Sequence, residues 1–155
     1  MNDKTCIVFR IGSQKFCVDI EKVKEVSAGK DSIYVPGSPE YIIGVINLRG
    51  SIVPIINLAK KLKINSDVTN AQHPIIVTEM DELQLGFSVD DVVGIIHVKE
   101  EEFSQTPSIL HVRSNFLDGV IRRDEEMIIL LDLDKTMSDI ELEQVRTLQE
   151  EQSVL

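Results

Sequence analysis

The sequence predicts an all-β protein, mainly strands with a few short helices, in which two similar small barrels pack side by side. Apolar residues make up 43% of the 155 residues and aromatic residues only 5%, so the core depends on isoleucine, valine and leucine. A core of this composition favours β structure. The apolar residues occur in short runs of strand length, and several of these runs occur twice along the chain.

The clearest hairpin lies in the first half of the chain. Two apolar runs, 41–48 and 52–58, flank Arg49 and Gly50, and glycine supplies the backbone freedom that a tight turn needs. Pro54 has no amide hydrogen, so we expect the second strand to lie at a sheet edge or at a bulge. Arg49 lies between two hydrophobic strands and either points to solvent or is held by a carboxylate.

Shorter elements surround this hairpin. Runs 5–11 and 15–19 predict a first pair of strands with a turn between them. Asp19 is a good N-cap, and the apolar spacing after it predicts one helical turn that enters a strand. A short strand is expected at 33–35, ended by Pro-Gly-Ser-Pro, and a short helix is expected at 58–62.

The second half begins after a polar segment, 63–72, which is the best internal boundary in the chain. Two further strand pairs follow this segment. They are predicted at 74–79 with 83–89 and at 116–121 with 126–133. The charged segment 99–108 between them is typical of a loop.

The C-terminal segment predicts a helix. Ser138 and Glu141 have the spacing of a capping box. Between Ser138 and the C-terminus there are five acidic residues and one basic residue, Arg146, so the helix is acidic. We therefore expect a main domain over 1–136, followed by an acidic helix or tail over 137–155.

An internal repeat relates the two halves of the chain. The motifs Phe-x-Val-Asp, Gly-Val-Ile and aliphatic-aliphatic-Asx-Leu occur at 16–19, 44–46 and 55–58, and again in the same order at 87–90, 119–121 and 130–133. A small sheet avoids exposed edges most simply by closing into a barrel. We expect one barrel lobe over about 1–65 and a second over about 72–136, with a hydrophobic seam between them. The copies differ at one turn, where Asn47-Leu48-Arg49-Gly50 corresponds to Arg122-Arg123-Asp124-Glu125.

Composition also excludes several kinds of partner. The chain carries 16 basic and 26 acidic residues, and a net charge of −10 argues against binding to a nucleic acid. No apolar run approaches the roughly 18–20 residues that span a bilayer, so no direct membrane insertion is expected. The N-terminus lacks the layout of a secretory signal. Cys6 and Cys17 fit small buried residues in a reducing cytosol, with a hairpin disulfide as the alternative.

Motifs for catalysis do not occur in the sequence. It contains neither a phosphate-binding glycine loop, nor a serine-hydrolase elbow, nor a zinc-protease helix. The three histidines, His73, His97 and His111, lie far apart and lack the spacing of metal ligands. Asp90 and Asp91 are adjacent, so in a strand they face opposite ways and fit a cap better than an acid–base pair. We therefore expect no enzyme activity, no metal and no cofactor.

Arg49 is the residue that most favours a recognition site. It is either a solvated turn residue or a partner-binding residue braced by Glu25 from the preceding strand. Arginine is enriched at interface hot spots because its planar group binds in two directions. Four aliphatic residues at comparable places in the repeats either pack in the core or line a groove for the apolar face of a partner helix: Val23, Val26, Val92 and Ile95.

These motifs together resemble a known family. The stretch from Gly44 to Leu58, the Phe-x-Val-Asp segments and the segment 119–133 are similar to the CheW-type coupling proteins of bacterial chemotaxis. The resemblance covers residues 5–136. It implies two intertwined SH3-like five-stranded barrels, with terminal strands exchanged between the lobes, and a non-enzymatic adaptor function.

The resemblance also implies partners and sites. It implies an adaptor that joins the cytoplasmic tip of a methyl-accepting chemoreceptor to the regulatory domain of the histidine kinase CheA, and CheW-like domains that can alternate in rings. Such a protein is cytoplasmic and reaches the membrane-associated receptor array through its partners. The implied receptor-binding residues are Val23, Glu25, Arg49, Val92 and Ile95, and the implied kinase contact is Ile109. The alternatives are a CheW-like domain from a larger hybrid signalling protein and a small β-barrel ligand-binding protein.

Overall fold

The computed structural model describes residues 3–65, 73–105 and 115–153. Over these ranges the chain forms eleven strands, two α-helices and three 3₁₀ turns. The strands are β1 (Lys4–Ile11), β2 (Gln14–Asp19), β3 (Glu25–Ser27), β4 (Ile42–Leu48), β5 (Ser51–Asn57), β6 (Ile75–Met80), β7 (Leu83–Ser88), β8 (Asp91–Val98), β9 (Phe103–Gln105), β10 (Leu117–Arg123) and β11 (Glu126–Leu131). The helices are α1 (Leu58–Leu62) and α2 (Asp139–Ser153), and the 3₁₀ turns cover Ile20–Lys22, Glu100–Glu102 and Asp134–Thr136.

The strands form two sheets that interleave the halves of the chain. The first sheet has the order β8-β1-β2-β11-β10-β9 and the second has the order β3-β6-β7-β5-β4. The first hairpin of each half therefore lies in the sheet completed by the other half. More strands than the terminal ones are exchanged between the halves. Each sheet therefore contains strands from both sides of the segment 65–72. The predicted mainly β fold with a C-terminal helix is confirmed.

The two copies of the repeat share details of the backbone. The β4–β5 register shifts between Ile42 and Gly44, and the β10–β11 register shifts between Leu117 and Gly119, at the same place in the repeat. Both glycines allow a neighbouring segment to approach closely, because a Cβ on Gly44 would lie 2.5 Å from the carbonyl oxygen of Ile33. A Cβ on Gly119 would lie 2.7 Å from the carbonyl oxygen of a β9 residue. The segment at Ile33 forms only an isolated bridge to Val45, so the short strand expected at 33–35 is absent there.

Pro54 lies in an interior strand, and the expected edge position is therefore wrong. β5 has β4 on one side and β7 on the other. Pro54 is opposite Val45, whose backbone N–H and C=O both bond to Ile33 at 2.9 Å. Pairing with β7 begins only at Ile55. The missing amide hydrogen of Pro54 therefore removes no bond from either ladder, and the bulge of this strand pair lies at Ile43 in β4.

Within the described residues, three hydrophobic cores organise the sheets. The largest, the shared core, contains twenty buried residues drawn from both sheets and from α2. Two smaller cores each belong to a single sheet: one surrounds Cys6, Cys17 and Ile121 in the first sheet, and the other surrounds Val53 and Ile75 in the second. A sheet buries a face against itself only when it curls, so each sheet has the curvature of a small barrel. Cys6 and Cys17 are free thiols in this interior, and the alternative hairpin disulfide is not formed.

The C-terminal helix α2 docks on the shared core. Its N-terminus has the predicted capping box, in which Ser138 Oγ accepts from the Glu141 amide at 3.1 Å and Glu141 accepts from the Ser138 amide at 2.9 Å. Val145 and Leu148 are buried in the shared core. Lys61 Nζ lies 2.5 Å from a carboxylate oxygen of Glu141, which attaches the helix to α1.

We expect Gly44→Ala to destabilise the fold by about 1–3 kcal/mol, because the added Cβ overlaps backbone that cannot rotate away. Gly86→Ala is the comparison variant. Its Cβ would lie 2.6 Å from Ile55 Cδ1, 2.8 Å from Ile75 Cγ2 and 3.6 Å from the carbonyl oxygen of Pro54, so its closest contacts are with side chains and we expect a smaller loss of unfolding free energy. Urea unfolding followed by circular dichroism measures both variants. An equal loss of unfolding free energy in the two variants would contradict the role given to Gly44.

The docking of α2 should depend on pH through Glu141. Burial opposes ionisation of Glu141, but hydrogen bonds from Lys61 and from Ser138 outweigh this effect and lower its pKa below 4.5. Ionised Glu141 therefore stabilises the folded state above about pH 4.5, and this contribution disappears as the pH falls through the lowered folded-state pKa.

We expect Glu141→Gln to lower the unfolding free energy by about 1–2 kcal/mol at pH 7 and by less at pH 3. The difference between wild type and variant, measured by urea unfolding from pH 7 to pH 3, isolates this residue because the other carboxylates are common to both proteins. A difference that stays constant over this range would show that the charge of Glu141 does not hold the helix.

Candidate functional site

The turn between β4 and β5 presents Arg49 to solvent. Arg49 and Gly50 form a two-residue hairpin turn with positive φ at both positions, 51° and 87°. The side-chain oxygen of Asn47 accepts a hydrogen bond from the Gly50 amide at 2.8 Å and fixes the turn. The side chain of Arg49 is 70% exposed. Its guanidinium forms an ion pair with Glu25, whose side chain is 22% exposed.

This ion pair joins opposite edges of the second sheet. Glu25 begins β3 at one edge, and Arg49 follows β4 at the other edge. The two edges meet because the sheet curls around its own core. Of the two structures expected for Arg49, the carboxylate-held one is present, and the residue is solvent-exposed as well. An arginine held in this way loses less side-chain entropy when it binds a partner.

Val92 and Ile95 lie on the same face of β8 because of a bulge. Residues three apart in a regular strand face opposite ways. Here the register between β1 and β8 shifts, so that Phe9 is opposite Val92 whereas Ile7 is opposite Ile95. Ile7 and Phe9 both belong to the shared core. Val93 is the extra residue of the bulge, and Gly94 after it has a φ of 155°.

The expected site residues differ in their contacts and in their exposure. Glu25 and Arg49 are in direct contact. Val23 and Val92 are half-buried and both pack against the shared core. Each of them therefore contributes to core packing and is also partly accessible from the surface. Ile95 is 60% exposed. The expected kinase contact, Ile109, lies outside the residues that the structure describes.

Sequence reasoning missed one exposed residue of this region. Val93 is 47% exposed, close along the chain to Ile95. Gly94 inside an apolar run was the available signal, since an isolated glycine in a strand often marks a bulge. Val26, expected as either core or groove, is 42% exposed and lies opposite Ile76, a residue of the shared core. Exposed aliphatic residues thus occur on both β3 and β8.

Polar side chains link the two sheets away from Arg49. The Thr78 hydroxyl of β6 donates to Asp134 at 2.9 Å, and Lys22 Nζ lies 3.3 Å from the buried carboxylate of Asp132. Burial raises the pKa of Asp134 and of Asp118. Among the described residues, no group of histidine, cysteine, aspartate and glutamate side chains fits a metal ion. The Thr78–Asp134 hydrogen bond therefore connects the second sheet to the turn that follows β11 of the first sheet.

The described ranges include no helix long and apolar enough to cross a bilayer.

Comparison with known proteins places this fold in a family. The family model for the CheW-like domain matches residues 5–141. The chain is 39% identical to the probable chemotaxis protein CheW of Rhizobium etli over 91% of this chain and 92% of that protein. It is 35% identical to the chemotaxis protein CheW of Thermotoga maritima over 85% of this chain and 86% of that protein. The crystal structure of the scaffolding protein TtCheW from Thermoanaerobacter tengcongensis has a TM-score of 0.74 and 31% identity, covering 83% of this chain and 88% of that one.

These similarities first define a class of protein, the non-enzymatic adaptors that act as scaffolds in chemotaxis signalling. The chain is an adaptor of this class. More particularly, it belongs to the family of CheW-like domains, which accounts for most of its length.

The ion pair between Glu25 and Arg49 should contribute little to folding stability, because Arg49 is largely exposed. We expect Arg49→Ala and Glu25→Ala each to lower the unfolding free energy by less than about 1 kcal/mol. Urea unfolding of both single variants and of the double variant measures this and gives the coupling energy. The better-buried Lys61, with 14% side-chain exposure, provides the contrast through Lys61→Ala. A loss of several kcal/mol at Arg49 would assign it to the scaffold instead.

Proposed function

We propose that this adaptor joins the cytoplasmic tip of a methyl-accepting chemoreceptor to the regulatory domain of the histidine kinase CheA. In this proposal the protein works in the cytoplasm, at the membrane-associated receptor array. The observation that carries the proposal is an exposed arginine, Arg49, held by Glu25 at a fixed turn in a CheW-like fold.

The receptor-binding residues in this proposal are Val23, Glu25, Arg49, Val92 and Ile95. Support for Arg49 comes from its exposure and its ion pair, since a preorganised guanidinium binds carboxylate and carbonyl oxygens of a partner with little loss of entropy. Arginine is also among the residues that dominate interface energies. Glu25 has a positioning role, because it holds the guanidinium from β3.

The aliphatic members of this set would receive the apolar face of a receptor helix. Val23 and Val92 reach the surface from the shared core, and Ile95 stands exposed on the same face of β8 as Val92. A helix that lays an apolar stripe on such residues gains roughly 25 cal/mol for each Å² of apolar surface buried. The aliphatic contacts would supply affinity, and Arg49 would add orientation.

The kinase would bind elsewhere on the barrels, with Ile109 as one contact. Because receptor and kinase would use different surfaces, one adaptor would hold both and raise the concentration of each near the other. Alternation with like domains in rings would extend this arrangement. The binding unit in this proposal is residues 1–136, and the acidic segment 137–155 is an addition to it.

A pull-down with a receptor hairpin tip and the CheA regulatory domain tests the proposal. We expect Arg49→Glu to weaken receptor binding at least tenfold, because it repels the group that the arginine attracts and leaves Glu25 without its partner. Kinase binding should be unchanged, which separates loss of one surface from loss of the fold.

Arg122→Glu is the matched control, since Arg122 is an exposed arginine near the corresponding turn of the other repeat. It should bind the receptor tip as wild type does. If Arg49→Glu binds normally while circular dichroism shows it folded, the assignment of the receptor site is wrong. Failure of the wild-type protein to bind either partner would reject the proposed function as a whole.

A further inference from the structure

A groove runs between α2 and the loop that precedes β4. Its volume is about 510 Å³. One wall is the segment from Val35 to Pro39, and the other is the stripe of α2 that contains Ile140, Gln144 and Thr147. The groove shares no residue with the proposed receptor site. It also depends on α2, most of which lies beyond the part of the chain that the family model matches.

Both walls of the groove are fixed in place. Ser38 donates its backbone amide to the carbonyl of Val35 at 3.1 Å, and Gly37 between them has a φ of 84°. With Pro36 before this glycine, the segment has the features of a type II turn, whose residues have little freedom. On the other side, Tyr41 donates its hydroxyl to Gln144 at 2.9 Å, which holds the helix beside the loop. A ligand would therefore meet a preformed surface.

Exposed apolar side chains occur in the groove and in the segment that leads into it. Ile140 lines the groove and is 74% exposed. Ile33 and Tyr34, which directly precede the Val35–Pro39 wall in the sequence, are 71% and 64% exposed. These are three of the seven large hydrophobic residues exposed in the described part of the chain. An exposed apolar residue inside a groove, such as Ile140, favours an interaction surface more than a residue exposed alone on a flat surface.

The negative charge of the groove favours a basic ligand. Its lining includes two carboxylates, Glu143 and Glu151, and no lysine, arginine or histidine. Neither carboxylate has an ion pair with a cation in the described ranges of the chain. The whole chain carries a charge of −10, so an acidic ligand would be repelled at long range and again at the groove. A basic ligand with apolar side chains complements both features.

We propose that this groove docks a linear segment of a partner protein in which aliphatic residues alternate with lysine or arginine. Side chains alternate between two sides along an extended segment. The aliphatic side chains would lie on Ile140 and Val35, and the basic side chains would extend along the rim to Glu143 and Glu151. This interaction is independent of the receptor and kinase contacts proposed above.

Titration of the ¹⁵N-labelled full chain with short amidated peptides tests the proposal. The probe is a peptide of alternating lysine and leucine. The controls have the same length and replace lysine with glutamate or leucine with serine. We expect the lysine–leucine peptide to shift the amide signals of Gly37 and Thr147 saturably, and both controls to bind at least tenfold more weakly. No saturable shift, or equal binding of the glutamate peptide, would overturn the proposal.

Variants locate the binding site. Ile140→Ser should weaken binding of the lysine–leucine peptide about tenfold, because it removes an apolar contact from an exposed position where folding does not depend on it. Glu143→Lys should weaken it about fivefold. Glu101→Lys makes the same change of net charge at an exposed residue outside the groove lining and should leave binding near that of wild type. If Glu101→Lys and Glu143→Lys weaken binding equally, the attraction is general and the groove is not the site.

A second copy of the chain is the competing occupant. Sedimentation equilibrium of wild type and Ile140→Ser distinguishes this case. A monomeric wild type supports the proposal. A wild-type dimer that Ile140→Ser dissociates would overturn it, because the groove would then be covered by another copy of the same acidic protein.

Discussion

The apolar contact between the two curled sheets is the interaction on which the rest of the molecule depends. Each sheet turns one face towards its own small core and the other towards the shared core, which also receives two residues of α2. Separation of the sheets would expose the buried rings of Phe9 and Phe87. Val23 and Val92 reach the surface from this shared core. The geometry of the proposed receptor site therefore follows from how the sheets pack.

The two repeats show how one backbone can carry different chemistry. The hairpin turns that contain Arg49 and Asp124 have nearly the same φ, 51° and 54°, and follow glycines with the same role in their strands. The side chains at these equivalent positions have opposite charges. Duplication has preserved the steric requirements of the fold, whereas the exposed turn residues have diverged. At the arginine turn, Arg49 pairs with a carboxylate from the opposite edge of its sheet, whereas beside the other turn Arg123 pairs with Glu102 and donates to the carbonyl of His97 in β8.

Local sequence signals predicted the hairpins and the capped helix α2, because turn residues, caps and alternation act over a few positions. The contact of Arg49 with Glu25 was one of two alternatives, since it joins residues at opposite edges of a sheet. The partners of each strand were less accessible, since pairing joins distant residues and many registers bury similar aliphatic side chains. β9 was expected as a loop because Glu100–Glu102 dominates its neighbourhood, yet Phe103 packs against the core of the first sheet. The expectation that Pro54 lies at a sheet edge failed for a related reason. Val45, opposite Pro54, forms its backbone hydrogen bonds with Ile33, a contact outside any strand pair, so the strand needs no amide hydrogen from Pro54.

The interleaving of the sheets has a consequence for synthesis on the ribosome. β1 and β2 are made first, but β1 pairs with β8 and β2 pairs in parallel with β11. The first hairpin must therefore wait, with both edges unsatisfied, until nearly the whole domain has left the exit tunnel. Contacts between residues so far apart in sequence slow folding and prolong the exposure of strand edges. A nascent chain that stalls after β7 would present that hairpin to chaperones or to other nascent chains.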